Sequence, residues 1–508
     1  MPGRTTLLMT MSTLAVFSRT AYGQDLDAGA PLDAGADAAV PSPSSSASSP
    51  SPSSDTGAGP RRPRDSASPA GGPARLAGPA GSLLIVEESH ALPLVHLELA
   101  ARTGSGQDPR GSEGLLNLAA ELARRGAAGR TREQLDDALD ALGGRLDVLV
   151  DPDSVRLVGQ VLSRNLDAYL RLVADIVLRP DFTEAELGRT RREILAQLDE
   201  TRNDDRALCA RFFTRRLYGD HPYGRAADGT EKSLARIRRP DVVSRFRAAF
   251  VGKNLVFGLA GDVSAAALPA RLGRAFNGLR PGDPPVPPSV RPPLLADGWR
   301  IQIVDKPDRQ QTQIMVGHPT IPASHPDFVA LGVAFAAFGG RGMKSTLMDE
   351  VRTRRGLAYG AYMGIIGRRG PSAARGWVFT GADRTVTTLK LLLRLYRRLG
   401  KSGIPDERVA FFKSFLAGSF ASDMDAPERR LSARVTADIQ GLPPDFVDTY
   451  VERINAVTPA QVAAAIRAHV RPENLAITMV ASADAMVRRL TAAGIDPGAI
   501  DVTRYDSY

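Results

Sequence analysis

The feature of this sequence that most constrains its fold is an order of secondary structure that occurs twice. Hydrophobic periodicity predicts two strands, two helices, two strands and then further helices in residues 82–279, and the same order returns in residues 299–508. Between them, residues 280–298 (RPGDPPVPPSVRPPLLADG) are too rich in proline for regular structure and are predicted to be a linker. The repeated order predicts an α+β fold of two homologous halves, each a sandwich-like sheet covered by helices.

The chain begins with two segments that are predicted to lie outside this fold. Residues 1–23 resemble a signal peptide, because Arg4 precedes an apolar stretch and a final AYG offers small residues for cleavage. Residues 24–81 are rich in Ala, Pro, Ser, Gly and Asp, and such a segment buries too little apolar surface to offset the entropy of ordering. It is predicted to be a disordered leader, with order beginning near Ser82. We therefore expect an exported protein, periplasmic or secreted.

Composition narrows the functional classes. Apolar residues make up 43% of the chain, which suits a globular protein, and the single cysteine, Cys209, excludes an intrachain disulfide and a cysteine-rich zinc module. The net charge is +9, but acidic and basic residues are interleaved, as in residues 132–137, so no nucleic-acid partner is expected. The apolar stretch near the N-terminus is too short to cross a bilayer, so no transmembrane segment is expected.

Residues 325–360 combine a helix end with the start of an extended segment. An apolar helix and a glycine break precede a second predicted helix, residues 344–354, which ends near Gly356. Arg352 is expected in the last turn of that helix, and Tyr359 in the extended chain just beyond it. Two hydrogen-bond donors held in this way can converge on one acceptor such as a peptide carbonyl. On spacing alone, a helix-end arginine and a strand tyrosine are more simply structural.

Four segments in this order resemble the insulinase/pitrilysin family of zinc metallopeptidases, in the two-domain form of mitochondrial processing peptidase subunits. The resemblance extends from about Ser82 to the C-terminus. Each segment alone is a weak signal, and their order along a duplicated architecture makes the match specific. The segments are residues 104–126, the loop LYGDHPYG (217–224) with Gly229-Thr230 after it, residues 254–263, and residues 310–359.

An active member of this family carries His-x-x-Glu-His on the first helix of its N-terminal half and a distal glutamate on a later helix. The two histidines share a helix face and bind zinc, and the glutamate between them activates water. Here the histidine positions are Asn117 and Glu121, the glutamate position is Ala120, and the distal ligand falls at Ala196 or Gln197. Because none of these positions carries the family's residue, we expect no zinc there.

No replacement site is evident along the chain. Of its six histidines, no two stand in ligand spacing, so we expect this chain to bind no metal by itself and the zinc to reside in a partner subunit. The histidines are His90, His96, His221, His318, His325 and His469.

The resemblance gives Arg352 and Tyr359 a role. In the resembling enzymes the corresponding pair faces the zinc helix across a chamber and binds the substrate backbone. This implies a catalytically inactive subunit that supplies the pair, and half of the peptide chamber, to a zinc-bearing partner in a heterodimer. Two alternatives stay open. One is a non-enzymatic peptide-binding chaperone or structural protein, such as a homodimer, and the other is an active metallopeptidase with a rearranged metal site.

Overall fold

A computed structural model describes residues 73–286, 293, 298–340 and 342–507. The predicted signal peptide, nearly all of the predicted leader and much of the predicted linker lie outside these residues. Within the described residues, no helix is both long and apolar enough to span a lipid bilayer.

The first half contains the predicted strands and helices in the predicted order, with additional short strands. Its strands are β1 (Ala74–Ala77), β2 (Leu83–Glu88), β3 (Leu94–Ala101), β4 (Gly126–Ala127), β5 (Arg130–Thr131), β6 (Arg145–Val150), β7 (Val155–Leu162) and β8 (Leu255–Gly261). The additional short strands are β1, β4 and β5. Its helices are α1 (Leu115–Ala123), α2 (Arg132–Ala141), α3 (Leu166–Leu178), α4 (Glu184–Asn203), α5 (Asp205–Tyr218), α6 (Glu231–Arg236), α7 (Arg239–Ala249) and α8 (Leu268–Ala275).

The second half repeats this order. Its strands are β9 (Arg300–Asp305), β10 (Gln311–Thr320), β11 (Ala358–Ile366), β12 (Ser372–Gly381), β13 (Ala476–Ala481) and β14 (Ile500–Arg504). Its helices are α9 (Phe328–Gly339), α10 (Thr385–Ser402), α11 (Asp406–Asp423), α12 (Pro427–Ile439), α13 (Tyr450–Ala456), α14 (Pro459–His469) and α15 (Ala483–Ala492), with a π-helical segment at Met348–Thr353.

The two six-stranded sheets share one topology over five strands and differ at one edge, where β1 is antiparallel to β2 and β14 is parallel to β9. The first has the order β1-β2-β8-β3-β7-β6, and the second, read from its opposite edge, has the order β14-β9-β13-β10-β12-β11. In each sheet the second and third strands of this order are parallel, and the next three pairs are antiparallel. The predicted α+β fold of two homologous halves is therefore confirmed.

Regular structure starts earlier than the sequence predicted. Strand β1 pairs antiparallel with β2, with Ala74 opposite Val86, so the boundary near Ser82 is wrong. A strand of four residues is too short to show an alternating pattern of its own. It forms because the edge of β2 presents backbone donors and acceptors that need partners.

One helix of each half packs against the sheet of the other half. Helix α5 of the first half packs against β10 and β13, where Leu208, Cys209 and Phe212 meet Met315 and Val480. Because α5 covers a sheet face built by the second half, separating the halves would expose apolar surface on both sides of this contact.

The reciprocal contact is made by α12. Its residues Leu431, Val435 and Ile439, spaced four apart on one helix face, pack on Ile85 and Val256 of β2 and β8. The same helix carries Arg434, whose Nε donates a hydrogen bond to Glu87. Both side chains are buried, at 7% and 8% exposure, so the two halves are joined by an ion pair inside an apolar contact.

Candidate functional site

Helix α1, which corresponds to the zinc helix of the resembling enzymes, is held firmly at its start. Gly114 precedes it with φ of +87°, and a Cβ there would lie 2.8 Å from Gly229, so only glycine suits the turn. The Leu116 amide donates to Asp108 Oδ2 at 3.2 Å, and Arg245 Nε donates to Oδ1 at 3.0 Å. Burial raises the pKa of Asp108 to about 6, although Arg245 opposes the rise.

The zinc-motif positions lie on α1 as the resemblance implies, but they present different chemistry. Ala120 is fully buried in the hydrophobic core of the first half. Asn117 and Glu121 are half-buried on one helix face, while Ala196 and Gln197 are exposed on α4, which packs against α1. Burial raises the pKa of the Glu121 carboxyl, and this rise is opposed first by Arg125 and then by Arg124.

Salt bridges join α4 to the segment that follows α1 and to α2. Arg125 Nη1 lies 2.6 Å from Glu193 Oε2, and Arg132 Nη1 lies 3.4 Å from Glu193 Oε1. Glu193 is also close enough to Glu121 to raise its pKa. The guanidinium groups thus neutralise this carboxylate without any metal ion.

These residues do not fit the family's zinc ion. A zinc ion in a hydrolytic site needs three protein ligands, and a half-buried carboxylate beside an amide and an alanine provides only one good ligand. In the described part of the chain, no three His, Cys, Asp or Glu side chains converge around Asn117 and Glu121. No hydrolytic step can therefore be derived from α1 and α4.

The helical segment that carries Arg352 is π-helical where the sequence predicted an α-helix. The Arg354 amide donates to the Asp349 carbonyl at 2.9 Å, a bond five residues back along the chain. Buried Met348 and Val351 anchor the segment, and Gly356, with φ of +57°, ends it. Arg352 lies in its last turn and Tyr359 lies in β11, as the sequence predicted.

Arg352, which is half-buried, and Tyr359, which is exposed, form a pair at the surface. The Arg352 Cζ atom lies 4.5 Å from the centroid of the Tyr359 ring, a cation–π distance, and Arg352 Nη1 also donates to Met343 Sδ at 3.6 Å. Tyr359 is 73% exposed, although most large apolar or aromatic side chains are buried. Among the described residues, its hydroxyl has no hydrogen-bond partner. The pair therefore presents N–H and O–H donors to solvent.

The strand that carries Tyr359 is an open sheet edge. Strand β11 is outermost in the second sheet, and its register with β12 shifts between Ala358 and Ala361, which places Tyr359 and Gly360 in a bulge. An edge strand leaves backbone donors and acceptors without a strand partner. In β11 the Ala361 N–H donates to Met348 Sδ at 3.5 Å, and an extended peptide can add along the rest of the edge as a further strand. Arg352 and Tyr359 stand at the start of this edge.

The fold and the sites on α1, α4 and β11 define a two-domain protein of the metallopeptidase type. The family model described as "Insulinase (Peptidase family M16)" matches residues 84–231, and the model described as "Peptidase M16 inactive domain" matches residues 236–415. Together these models cover most of the chain, which belongs to the insulinase family, peptidase family M16. The residues that the resemblance places at the zinc-motif positions, Asn117, Ala120 and Glu121, differ from the family's His-x-x-Glu-His.

Several known sequences and structures are similar to this chain over most of its length. The non-peptidase homolog YmxG of Helicobacter pylori is 24% identical over 400 residues, covering 78% of this chain and 91% of the relative. An uncharacterized zinc protease of Mycobacterium tuberculosis is 25% identical over 412 residues, covering 80% and 93%.

Solved structures show the same architecture. A peptidase M16 inactive domain from Pseudomonas fluorescens superposes with a TM-score of 0.74 at 25% identity, covering 80% of this chain and 97% of that chain. A protease from Helicobacter pylori superposes with a TM-score of 0.72 at 17% identity, covering 81% and 99%, and so supports the fold alone.

One group of potential metal ligands was missed by the sequence. His325 and His469 lie side by side, with ring centroids 5.1 Å apart, and Asp327 lies next to both. No two histidines stand in ligand spacing along the sequence, but in the folded chain His325 and His469 lie close enough to bind one ion. No signal along the chain could have shown it, because His469 is 142 residues from Asp327.

Proposed function

We propose that this chain is the non-catalytic subunit of an exported zinc peptidase and forms a heterodimer with a family member that carries the zinc motif. The observation that supports this most directly is an asymmetry between its two halves. The zinc-motif positions on α1 and α4 hold Asn117, Ala120, Glu121 and Ala196, whereas Arg352 and Tyr359 remain together on an open sheet edge. General decay of function would not preserve one half of a site.

The proposed contribution of this chain is to hold the peptide. An extended substrate would add to the edge of β11, and its backbone would pair with the strand. The Arg352 guanidinium cannot lose its charge at neutral pH, and the Tyr359 hydroxyl adds a directional donor, so both can bind a carbonyl oxygen that gains negative charge during hydrolysis. The zinc ion, held by the partner, would supply the activated water.

Side chains beside the pair suit an unfolded substrate. Met343 and Phe411 are 53% and 44% exposed, and Lys344 Nζ lies 5.5 Å from the Phe411 ring centroid. Exposed apolar side chains next to a sheet edge can accept apolar side chains of a peptide. The predicted signal peptide supports placement of this complex in the periplasm or outside the cell.

Reconstitution tests the proposal. The chain alone is expected to cleave no peptide, and a mixture with a zinc-motif family member from the same organism is expected to give a heterodimer with peptidase activity. In that heterodimer, Arg352→Ala should lower kcat/KM about tenfold or more, because a charge-assisted hydrogen bond contributes about 1.5–3 kcal/mol. Tyr359→Phe, which removes only the hydroxyl, should act in the same direction.

A matched control separates this role from general charge effects. Arg354 lies two residues away, is 63% exposed at its side chain and pairs with Asp349 at 2.9 Å. Arg354→Ala should leave kcat/KM unchanged. Equal turnover by the Arg352→Ala, Tyr359→Phe and unaltered heterodimers would remove the pair from the proposed function.

The second candidate is a non-enzymatic peptide-binding protein. The exposed Met343 side chain next to Arg352, and the similarity to a relative called a non-peptidase homolog, favour it. A stable homodimer that binds unfolded peptide, and recovers no zinc-motif partner from its own cells, would support this candidate over the heterodimer. An active enzyme with a rearranged site requires the chain alone to hydrolyse peptide in a zinc-dependent manner.

A further inference from the structure

The His325, Asp327 and His469 side chains converge at a point far along the chain from the zinc-motif positions. His325 and Asp327 lie in the turn before α9, and His469 is the last residue of α14. One ligand atom from each residue lies within 4.8 Å of the others. We propose that these three residues form a binding site for a divalent transition-metal ion of the zinc type.

One carboxyl oxygen of Asp327 lies next to a ring nitrogen of each histidine. Asp327 Oδ2 lies 2.7 Å from His469 Nε2 and 3.9 Å from His325 Nδ1. Ligand atoms around a tetrahedral zinc ion, with bonds of about 2.0–2.1 Å, lie roughly 3.4 Å apart. To bind a zinc ion, the distance from Oδ2 to His469 Nε2 must lengthen and the distance from Oδ2 to His325 Nδ1 must shorten. A small rotation of each side chain would achieve this.

The hydrogen bonds show which nitrogen of His325 carries a lone pair that a cation could use. The Asp327 backbone N–H donates to His325 Nδ1 at 3.1 Å, so this nitrogen carries a lone pair and no hydrogen. It faces Asp327 Oδ2, which is also an acceptor. A metal ion bound to Nδ1 would take the lone pair that now accepts the Asp327 amide hydrogen, and Oδ2, 3.9 Å away, would be a second ligand.

The scaffold holds the three ligands on firm supports. The Phe328 amide donates to the His325 carbonyl at 2.9 Å, and the Phe328 side chain is 1% exposed. Helix α14 packs against α9, and its Ile466, one turn before His469, is buried. Preorganised ligands lose little entropy when they bind an ion.

The ligand chemistry selects the metal class. Two imidazole nitrogens and one carboxylate oxygen suit Zn²⁺, and also Co²⁺ or Ni²⁺, whereas Ca²⁺ and Mg²⁺ prefer sets of oxygen ligands. The side chains are 35%, 45% and 16% exposed for His325, Asp327 and His469, so solvent can reach the site and provide a fourth ligand. The ion would clamp the start of α9 to the end of α14.

Metal titration of the chelator-treated full chain tests the site. We expect one Zn²⁺ per chain by competition with a chromogenic chelator, a higher midpoint of thermal unfolding, and an absorption spectrum of four-coordinate Co²⁺ when cobalt replaces zinc. His469→Gln and His325→Gln should each weaken binding at least about tenfold. Circular dichroism shows whether each variant is folded. If one of them does not fold, the other still tests the site.

The matched control is another histidine–carboxylate pair. His90 Nδ1 lies 2.7 Å from Asp262 Oδ1 without a second histidine. His90→Gln should bind zinc like the unaltered chain. The proposal is overturned if no zinc binds, or if Glu121→Gln abolishes binding while His469→Gln does not, because the ion would then lie on α1. Binding at this site without peptide hydrolysis leaves the proposed subunit function intact, so the two proposals fail separately.

Discussion

The Arg352 guanidinium lies over the Tyr359 ring, with 4.5 Å between Cζ and the ring centroid. The arginine comes from the end of the π-helical segment and the tyrosine from the bulge of β11. The contact therefore joins a π-helical segment to a strand bulge, and both side chains still reach solvent. The pair is available for a ligand and contributes little to the core.

This exposure predicts a small effect on stability. Arg352→Ala and Tyr359→Ala should each change the free energy of unfolding by less than about 1 kcal/mol, since an exposed cation–π contact contributes about 0.5–1 kcal/mol. Urea denaturation of both variants and of the double variant measures this, and also the coupling between the residues. A loss of several kcal/mol would mean that the pair is structural, and that lost heterodimer activity reports misfolding.

The buried ion pair between the halves should matter far more. Glu87→Gln leaves Arg434, 7% exposed, with only the partly exposed Asp448 as a carboxylate partner. We expect the free energy of unfolding to fall by about 1.5–3 kcal/mol, because Arg434 loses a charge-assisted hydrogen bond at a buried position while it keeps its pair with Asp448. The midpoint of urea unfolding measures the change.

An exposed ion pair provides the control for Glu87. Lys253 and Asp283 lie 2.9 Å apart, with side chains 58% and 79% exposed. Asp283→Asn should leave the urea midpoint unchanged, since screened surface pairs contribute little. Equal midpoints for Glu87→Gln and Asp283→Asn would contradict the importance of the buried pair.

Restoring the family's glutamate should damage the fold. Ala120 is fully buried in the apolar core, so Ala120→Glu would bury a carboxyl group and lower the free energy of unfolding at pH 7 by on the order of 4 kcal/mol. Burial raises the folded-state pKa of such a group, so the part of the penalty that comes from ionisation should vanish below about pH 4 and grow as pH rises, while the packing cost remains at every pH. Ala196→Glu, at an exposed position on α4, is the control and should be tolerated.

The buried His318 predicts a loss of stability in acid. Burial lowers its pKa to about 4, and its Nε2 accepts a hydrogen bond from the Arg471 amide at 3.2 Å and lies 2.7 Å from the Tyr396 hydroxyl. The unfolded chain takes up this proton near pH 6.5 and the folded chain does so only near pH 4. The free energy of unfolding should therefore fall by up to about 3 kcal/mol as pH drops through this window.

Denaturant unfolding at a series of pH values measures this effect. His318→Gln should flatten the curve between these two pKa values, whatever its absolute stability. His90→Gln, which alters an exposed histidine, should keep the slope of the unaltered chain. A slope that persists in His318→Gln would assign the acid sensitivity to another group.

Local patterns explain what could be predicted. The duplication followed from hydrophobic periodicity, and the positions of Arg352 and Tyr359 followed from a helix stop at Gly356, because helix ends depend on nearby residues. Helix α12 was missed, although Pro427 at its start and the spacing of Leu431 and Val435 were usable signals. Its partner sheet could not be predicted, because it is built from distant residues.

The sequence alone determined the family and the two-half α+β architecture, and it predicted that Asn117, Ala120 and Glu121 stand where the zinc ligands and the general base would be, since these depend on residue identity and local order. Only the tertiary structure decided that α5 and α12 are exchanged between sheets, that β11 is a free edge beside Arg352, and that His325 meets His469. These features depend on contacts between segments far apart in the chain, and periodicity along a sequence carries no record of such contacts.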